Sequence, residues 1–320
     1  MSKSVRAALA AMAEPGLGDA PGRLASAVGD VAVHLAHPFE TLRGGAGWWD
    51  AALSPLLAAM PDLERRETIR IEGVDAEGAR WLGCCGFYCG AFEAPFLDIP
   101  PTRRMAAMRF CEFFRLEDGA VAEVQALWDL PELMMQAGAW PLAPSLGREW
   151  HVPGPATQDG LDPGGDGAGA VRIVREMLGA LGESAKGVDA MRLGDYWHPS
   201  CSWYGPSGIG TARGIEGFRR HHQIPFLDSM PDRRGDPAGG HLFGEGGYVG
   251  FTAWPGMSMT LTGGGWLGLP GAGQALTMRS LDFWRVQDGL IRENWVLVDL
   301  LDVCAQLGVD VLARMRELTG

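Results

Sequence analysis

The chain predicts an α+β fold: two tandem cone-shaped barrel-like domains, each with helices packed into a curved antiparallel sheet, related by an approximate two-fold axis. Three observations carry that expectation: an internal repeat at a fixed offset of 170 residues, a Gly- and Pro-rich break between the copies, and the same order of helical and strand-like segments in each. Met108–Gly138 laid over Met278–Gly308 without a gap gives 12 identities in 31 positions. Residues 42–62 over 212–232 give 8 in 21, and both blocks end in Met-Pro-Asp. A period this long marks a duplicated domain, since solenoid units run to tens of residues. The expected division is 1–150 for a diverged first copy, 151–170 for a linker dense in Pro, Gly and Asp, and 171–320 for the second copy.

Composition narrows the function. The net charge of −12, from 27 Lys+Arg against 39 Asp+Glu, disfavours nucleic acid and anionic lipid, because neither half carries a basic cluster. The longest uncharged run, Gly246–Met278, is interrupted by ten Gly and two Pro, so it reads as buried strands rather than a membrane helix. No secretory hydrophobic region is legible at the N-terminus, and a cytoplasmic protein is expected. The six Cys match no zinc spacing; Cys84, Cys85 and Cys89 sit in an apolar strand-like run as small core residues. No metal site, phosphate loop or nucleophile elbow is expected.

Each copy then reads in the same order. The second opens on a helical pattern, Val171–Leu181, continuing toward Tyr196. A short β-like stretch follows, Val31–Leu35 in copy one and Cys201–Tyr204 in copy two. A second helix begins at a Gly (Gly214–Asp228), and strands punctuated by Gly follow Met-Pro-Asp. The clearest structure is a hairpin. Asp288-Gly289 is a type I′ turn signal between strands Ala275–Val286 and Leu290–Asp299, and Asp118-Gly119 is its twin. A two-residue turn pairs Gln287 with Leu290. Extended without interruption, that register opposes Trp284 to Glu293, Asp282 to Trp295, Ser280 to Leu297 and Met278 to Asp299 on one face. Leu281, Phe283, Val296 and Val298 then share the other. The same construction sets Phe114 opposite Glu123 and Met108 opposite Asp129 in copy one.

Two motifs resemble a known family. Arg213-Gly214, Pro225-Phe226-Leu227 and Met230-Pro231-Asp232 form the first; the run from Asp288-Gly289 through Glu293, Trp295 and Asp299 to Gln306-Leu307-Gly308 forms the second. Both resemble the SnoaL-like polyketide cyclases of the nuclear transport factor 2-like superfamily, over nearly all of 170–308 and, more weakly, over 31–138. The resemblance implies acid–base aldol cyclisation of a small-molecule substrate without metal or organic cofactor, using an Asp in the last strand. That Asp matches Asp299 here and Asp129 in copy one. Family cyclases are usually single-domain and oligomeric, so a tandem chain is expected to form an intramolecular pseudo-dimer, with further homo-oligomerisation left open.

The residues themselves supply candidates for such chemistry. A carboxylate facing an apolar, Trp-walled cavity is hard to ionise and suits proton transfer. Ketosteroid isomerase, a member of the same superfamily, uses one Asp as a base and another as a hydrogen-bond donor. Asp299 is the leading acid–base candidate, with helix capping of Leu300–Gly308 as its structural alternative; Asp129 is the weaker twin, because Pro131 already suits a helix start. His222 falls four residues after Phe218 and near Phe226, on the face expected to meet the sheet, where a neutral imidazole serves as assistant. His221, Trp203, Tyr204, Trp254, Asp282, Trp284 and Trp295 are candidate substrate contacts. His34, His37, Trp48, Trp49 and Asp50 are pocket candidates in copy one. A cofactor-independent lyase or isomerase acting on a carbonyl compound is thus expected. A non-catalytic binder or scaffold of the same fold, and an Asp-assisted epoxide or ester hydrolase, are the alternatives.

Overall fold

The structure, a computed structural model, describes residues 2–235 and 240–320. Copy one opens with α1 (Ser2–Ala11) and α2 (Ala20–Val28), which bury Val5, Leu9, Leu24 and Val28. Strands β1 (Ala32–Leu35) and β2 (Thr41–Arg43) lead into α3 (Gly44–Trp48), a π-turn over Trp49–Leu53, and α4 (Ser54–Ala59). Four long strands follow: β3 (Glu64–Val74), β4 (Arg80–Ala91), β5 (Met105–Glu117) and β6 (Ala120–Trp128), closed by α5 (Leu130–Gln136). Copy two repeats the plan with α6 (Ala168–Leu181), α7 (Leu193–Tyr196), β7 (Trp197–Tyr204), β8 (Thr211–Arg213), α8 (Gly214–Phe218), a π-turn over Arg219–Gln223 and α9 (Ile224–Ser229). Its strands are β9 (Arg234–Gly235), β10 (Gly240–Glu245), β11 (Tyr248–Leu261), β12 (Gln274–Gln287) and β13 (Leu290–Val298), followed by α10 (Leu300–Gln306) and α11 (Val311–Thr319). The helix expected over Gly214–Asp228 is therefore interrupted by one wide turn, at the same place as in copy one.

The sheets run β2-β1-β6-β5-β4-β3 and β10-β11-β12-β13-β7-β8, with β9 on β11. Pairing is antiparallel except for β1 with β6 and β7 with β13. Both are curved and remain open, wrapped around the helices of their own copy. The hairpin turn is as expected, with Asp288 and Gly289 at φ 53° and 78° and Gln287 opposite Leu290. The register beyond it is not. Val286 pairs with Ile291 but Arg285 pairs with Glu293, so Arg292 is an extra residue in a β-bulge. From there Trp284 opposes Asn294, Asp282 opposes Val296 and Ser280 opposes Val298. Copy one slips identically, Leu116 meeting Val121 and Arg115 meeting Glu123. One inserted residue exchanges the faces of the whole second strand. Val296 and Val298 therefore join Met278, Ser280, Asp282 and Trp284, while Glu293, Trp295 and Asp299 turn to the reverse face.

That reverse face is where the copies meet. Ile69, Ile71, Trp81, Cys111, Phe113 and Leu127 of one sheet pack with Phe243, Tyr248, Leu281, Phe283, Trp295 and Leu297 of the other in a single buried cluster. Phe113 and Phe283, 170 residues apart, stack with ring centroids 4.9 Å apart and an interplanar angle of 21°. Gly83 and Gly250, their cross-strand partners, leave room for this: a Cβ on either would lie 3.0 Å from the Phe113 ring. The contacts around this stack are reciprocal. Asp299 Oδ2 accepts from the His37 backbone N–H at 2.9 Å, and Asp129 Oδ2 from that of Ser207 at 2.9 Å, again 170 residues on.

Candidate functional site

The interior of copy two is hollow, with a cavity of about 630 Å³ lined by Trp197, Trp203, Phe226, Trp266, Met278 and Trp284 among others. The interior of copy one at the corresponding wall is solid. There Glu112, fully buried, accepts from Arg65 Nη2 at 2.7 Å, Arg65 Nε at 3.1 Å, Tyr88 OH at 2.9 Å and Trp128 Nε1 at 3.2 Å. Its counterpart in copy two is Asp282. Strand register identifies the counterparts of its three partners: Gly235 pairs with Met257 as Arg65 pairs with Tyr88, and Val298 follows Trp128 at the 170-residue offset. Arg, Tyr and Trp become Gly, Met and Val, and all three of the smaller residues line the cavity. Phe110 likewise becomes Ser280. The hollow is the volume these side chains no longer fill.

Asp282 is left with lighter company. Ser280 Oγ donates to it at 2.8 Å and Asn294 Nδ2 at 3.3 Å. Burial pushes its carboxyl up to about 7, against those two hydrogen bonds and the charge of Arg233. A carboxyl balanced there exchanges protons in either direction at neutral pH. Across the cavity, the π-turn aims His222 inward. Its ring stacks on Trp203 at 4.2 Å and 16°, between Phe218 and Phe226. Burial, with Arg233 nearby, pulls its imidazole down to about 3, so it is neutral across the physiological range.

Among the described residues, four buried polar atoms on the cavity lining have no hydrogen-bond partner: Trp197 Nε1, Trp284 Nε1, His222 Nδ1 and Gln223 Oε1. Buried groups of this kind are rare and costly. Their gathering around one space presents donors and an acceptor to the polar groups of a ligand. The mouth is closed partly by copy one, whose turn residues Asp75, Ala76 and Glu77 line the rim. Asp75 binds His241 Nδ1 of copy two at 2.7 Å while accepting from Trp81 Nε1 and two backbone amides of its own turn.

Of the residues singled out from sequence, His222, Trp203, Asp282 and Trp284 are brought together at this cavity. Asp299 is not, because the bulge turns it to the inter-domain face. There it accepts from Asp302 N at 3.2 Å, capping α10, as well as from His37 N and from Arg279 Nη1 at 3.1 Å. Burial raises its carboxyl to about 6, yet its bonding is spent on these partners. Asp129 is held similarly, by Arg109 Nη2 at 2.6 Å and Ser207 N. Trp295 and Tyr204 also lie between the domains: Trp295 Nε1 donates to Pro153 O at 2.9 Å and Tyr204 OH to Glu293 at 3.1 Å. Trp254 stacks under Arg279, 4.8 Å from its guanidinium, and beside His34 of copy one. His221, one step round the π-turn, does not line the cavity. In copy one, Trp48 is packed in the core and Asp50 is exposed. Sequence reasoning missed Trp197, Gln223, Arg233 and Asn294 as cavity residues; the readable signal was the offset comparison, in which Phe110 becomes Ser280 and Trp128 becomes Val298.

The model of the SnoaL-like polyketide cyclase family matches residues 19–137 and again 175–307, and the chain belongs to that family. Similar solved structures include IdmH, a putative polyketide cyclase from Streptomyces antibioticus, 21% identical over 43% of this chain and 97% of its own, with a TM-score of 0.36. AclR, a putative hydroxylase from Streptomyces galilaeus, is 18% identical over 44% and 82%, TM-score 0.35. A putative SnoaL-like polyketide cyclase from Jannaschia sp. CCS1 is 20% identical over 43% and 90%, TM-score 0.34. No curated protein matches the chain. Among the described residues no helix is long and apolar enough to cross a membrane.

Proposed function

We propose that this protein is a cofactor-independent proton-transfer enzyme of the cyclase or isomerase type. It works in the copy-two cavity on a carbonyl compound, with Asp282 rather than Asp299 as acid–base. The observation that carries this is the contrast between two equivalent carboxyls. Glu112 is locked by an arginine, a tyrosine and a tryptophan, whereas Asp282 stands on a cavity wall with, among the described residues, Ser280 and Asn294 as its hydrogen-bond partners. Ionised Asp282 takes a proton from the carbon beside a substrate carbonyl. The enolate adds to a second carbonyl carbon of the same molecule, closing a ring, and Asp282 returns its proton to the alkoxide. Neutral His222 and the indole N–H groups of Trp197 and Trp284 supply hydrogen bonds to the carbonyl oxygens, and Trp203 supplies a flat wall.

Deuterium uptake by the methyl group of 2-acetylnaphthalene in D₂O, followed by NMR, tests the proton-transfer step without knowledge of the native substrate. The protein is expected to accelerate uptake, Asp282→Asn to lose at least about 100-fold of that acceleration, and Asp299→Asn to keep it. Uptake undiminished in Asp282→Asn overturns the assignment and leaves a binding protein of the same fold.

A further inference from the structure

We propose that Arg233 is an anion anchor and that the ligand of this cavity is a planar aromatic compound carrying a carboxylate. The inference rests on the preceding reading only in taking the hollow as the ligand site. Copy one spends its internal guanidinium on its internal carboxylates: Arg65 is fully buried and held by Glu112 and Glu67. Copy two places Gly235 at that position and brings in Arg233, two residues earlier, to line the cavity. Its Nε lies 3.2 Å from Met257 Sδ, the residue at the place of Tyr88. Among the described residues no carboxylate comes within ion-pair distance of it, and its Nη groups make no hydrogen bond to any of them. Asp282 is near enough for its charge to be felt, but not near enough to pair.

A guanidinium remains charged and is best met by an anion, so one held half-buried at a cavity wall against a thioether is poised to receive one. Arginine's planar fork matches a carboxylate with two parallel hydrogen bonds, which favours a carboxylate over a compact anion. The remaining walls are Trp197, Trp203, Phe226, Trp266 and Trp284, a lining for flat apolar rings. A ligand held at Arg233 by its carboxylate lays its rings between these walls, in the cavity that Asp282 also lines.

The experiment compares naphthalene-2-carboxylate with its methyl ester, by calorimetry or by quenching of the cavity tryptophans, on the full chain at neutral pH. The acid is expected to bind at least about ten-fold tighter than the ester. In Arg233→Met the acid is expected to lose that advantage while the ester binds as before, which also shows that the variant's cavity is intact. Equal affinity of acid and ester, or an acid preference that survives Arg233→Met, overturns the anchor. Failure of both probes to bind overturns it as well. Because binding rather than turnover is read, an inactive or a fully active Asp282→Asn bears on the catalytic proposal alone.

Discussion

Asp282 and Glu112 occupy one position in two copies of a fold, and their environments give opposite consequences on neutralisation. The folded-state carboxyl of Asp282 is raised to about 7 from its ordinary value near 4, mainly by burial. The folded protein therefore binds this proton more tightly than the unfolded chain. The stabilisation from that proton is full below about pH 4 and is lost as pH rises to about 7, beyond which the carboxylate is held buried at a cost. Asp282→Asn is expected to raise stability at pH 8 by up to about 4 kcal/mol and to leave it nearly unchanged at pH 4, as read by denaturant titration. Asp299 titrates in the same window, so the difference between variant and parent, not the parent's curve, isolates Asp282. Glu112→Gln should do the reverse and cost about 3–5 kcal/mol, since it strips Arg65 of its closest carboxylate inside the core. For His222, whose imidazole is pulled down to about 3, the ring resonances are expected to stay flat between pH 5 and 8 by NMR; a titration midpoint near 6.5 would show that the ring is open to water.

At the scale of elements, the turns and repeats were legible in the sequence and the bulge was not. Asp288-Gly289 and Asp118-Gly119 announce their turns because only a few residue types accept positive φ at both positions. The order of segments was legible for the same reason in both copies. Arg292 and Ala122, the extra residues of the bulges, carry no such signature: neither is Gly, and both sit in strands that alternate correctly on either side. That one-residue shift moved Asp299, Trp295 and Glu293 out of the predicted cavity and left Asp282, Trp284 and Ser280 in it. His222, which helical spacing sets on the face toward the sheet, lines the cavity from a π-turn rather than a plain helix. The hollow itself was readable only by comparing copies, since Ser280 and Val298 look unremarkable until set beside Phe110 and Trp128. Restoring them tests the idea. Ser280→Phe with Val298→Trp should fill the cavity, keep the far-ultraviolet circular dichroism of the parent, and abolish binding of naphthalene-2-carboxylate. Undiminished binding would place that ligand elsewhere.

The whole molecule is held together by the faces that the bulges turned away from the cavities. Leu281, Phe283, Trp295 and Leu297 of copy two are all buried, and against copy one rather than against their own helices. Burial of one such side chain contributes about 1.5–3 kcal/mol, so exposing the four together costs an amount comparable to the whole margin of an ordinary domain. The tails reinforce the union. Val311 and Met315 of α11 join the core of copy one, and Glu149, in the segment after α5, accepts from Ser207 Oγ and Gly208 N of copy two. Copy one also supplies the rim of the copy-two cavity through Asp75–Glu77, pinned by His241. The first domain, whose corresponding wall is packed by Arg65, Tyr88 and Trp128, thus covers the sheet of its twin and lines the mouth of its twin's cavity. Expressed alone, residues 168–320 are expected to fail as a folded monomer and to dimerise through the exposed face or aggregate, as sedimentation will show. Co-expression with residues 1–167 should restore a one-to-one complex that binds naphthalene-2-carboxylate like the parent. A monomeric, cooperatively melting 168–320 fragment with that affinity unchanged would show that the second domain neither needs its twin for folding nor borrows its rim for binding.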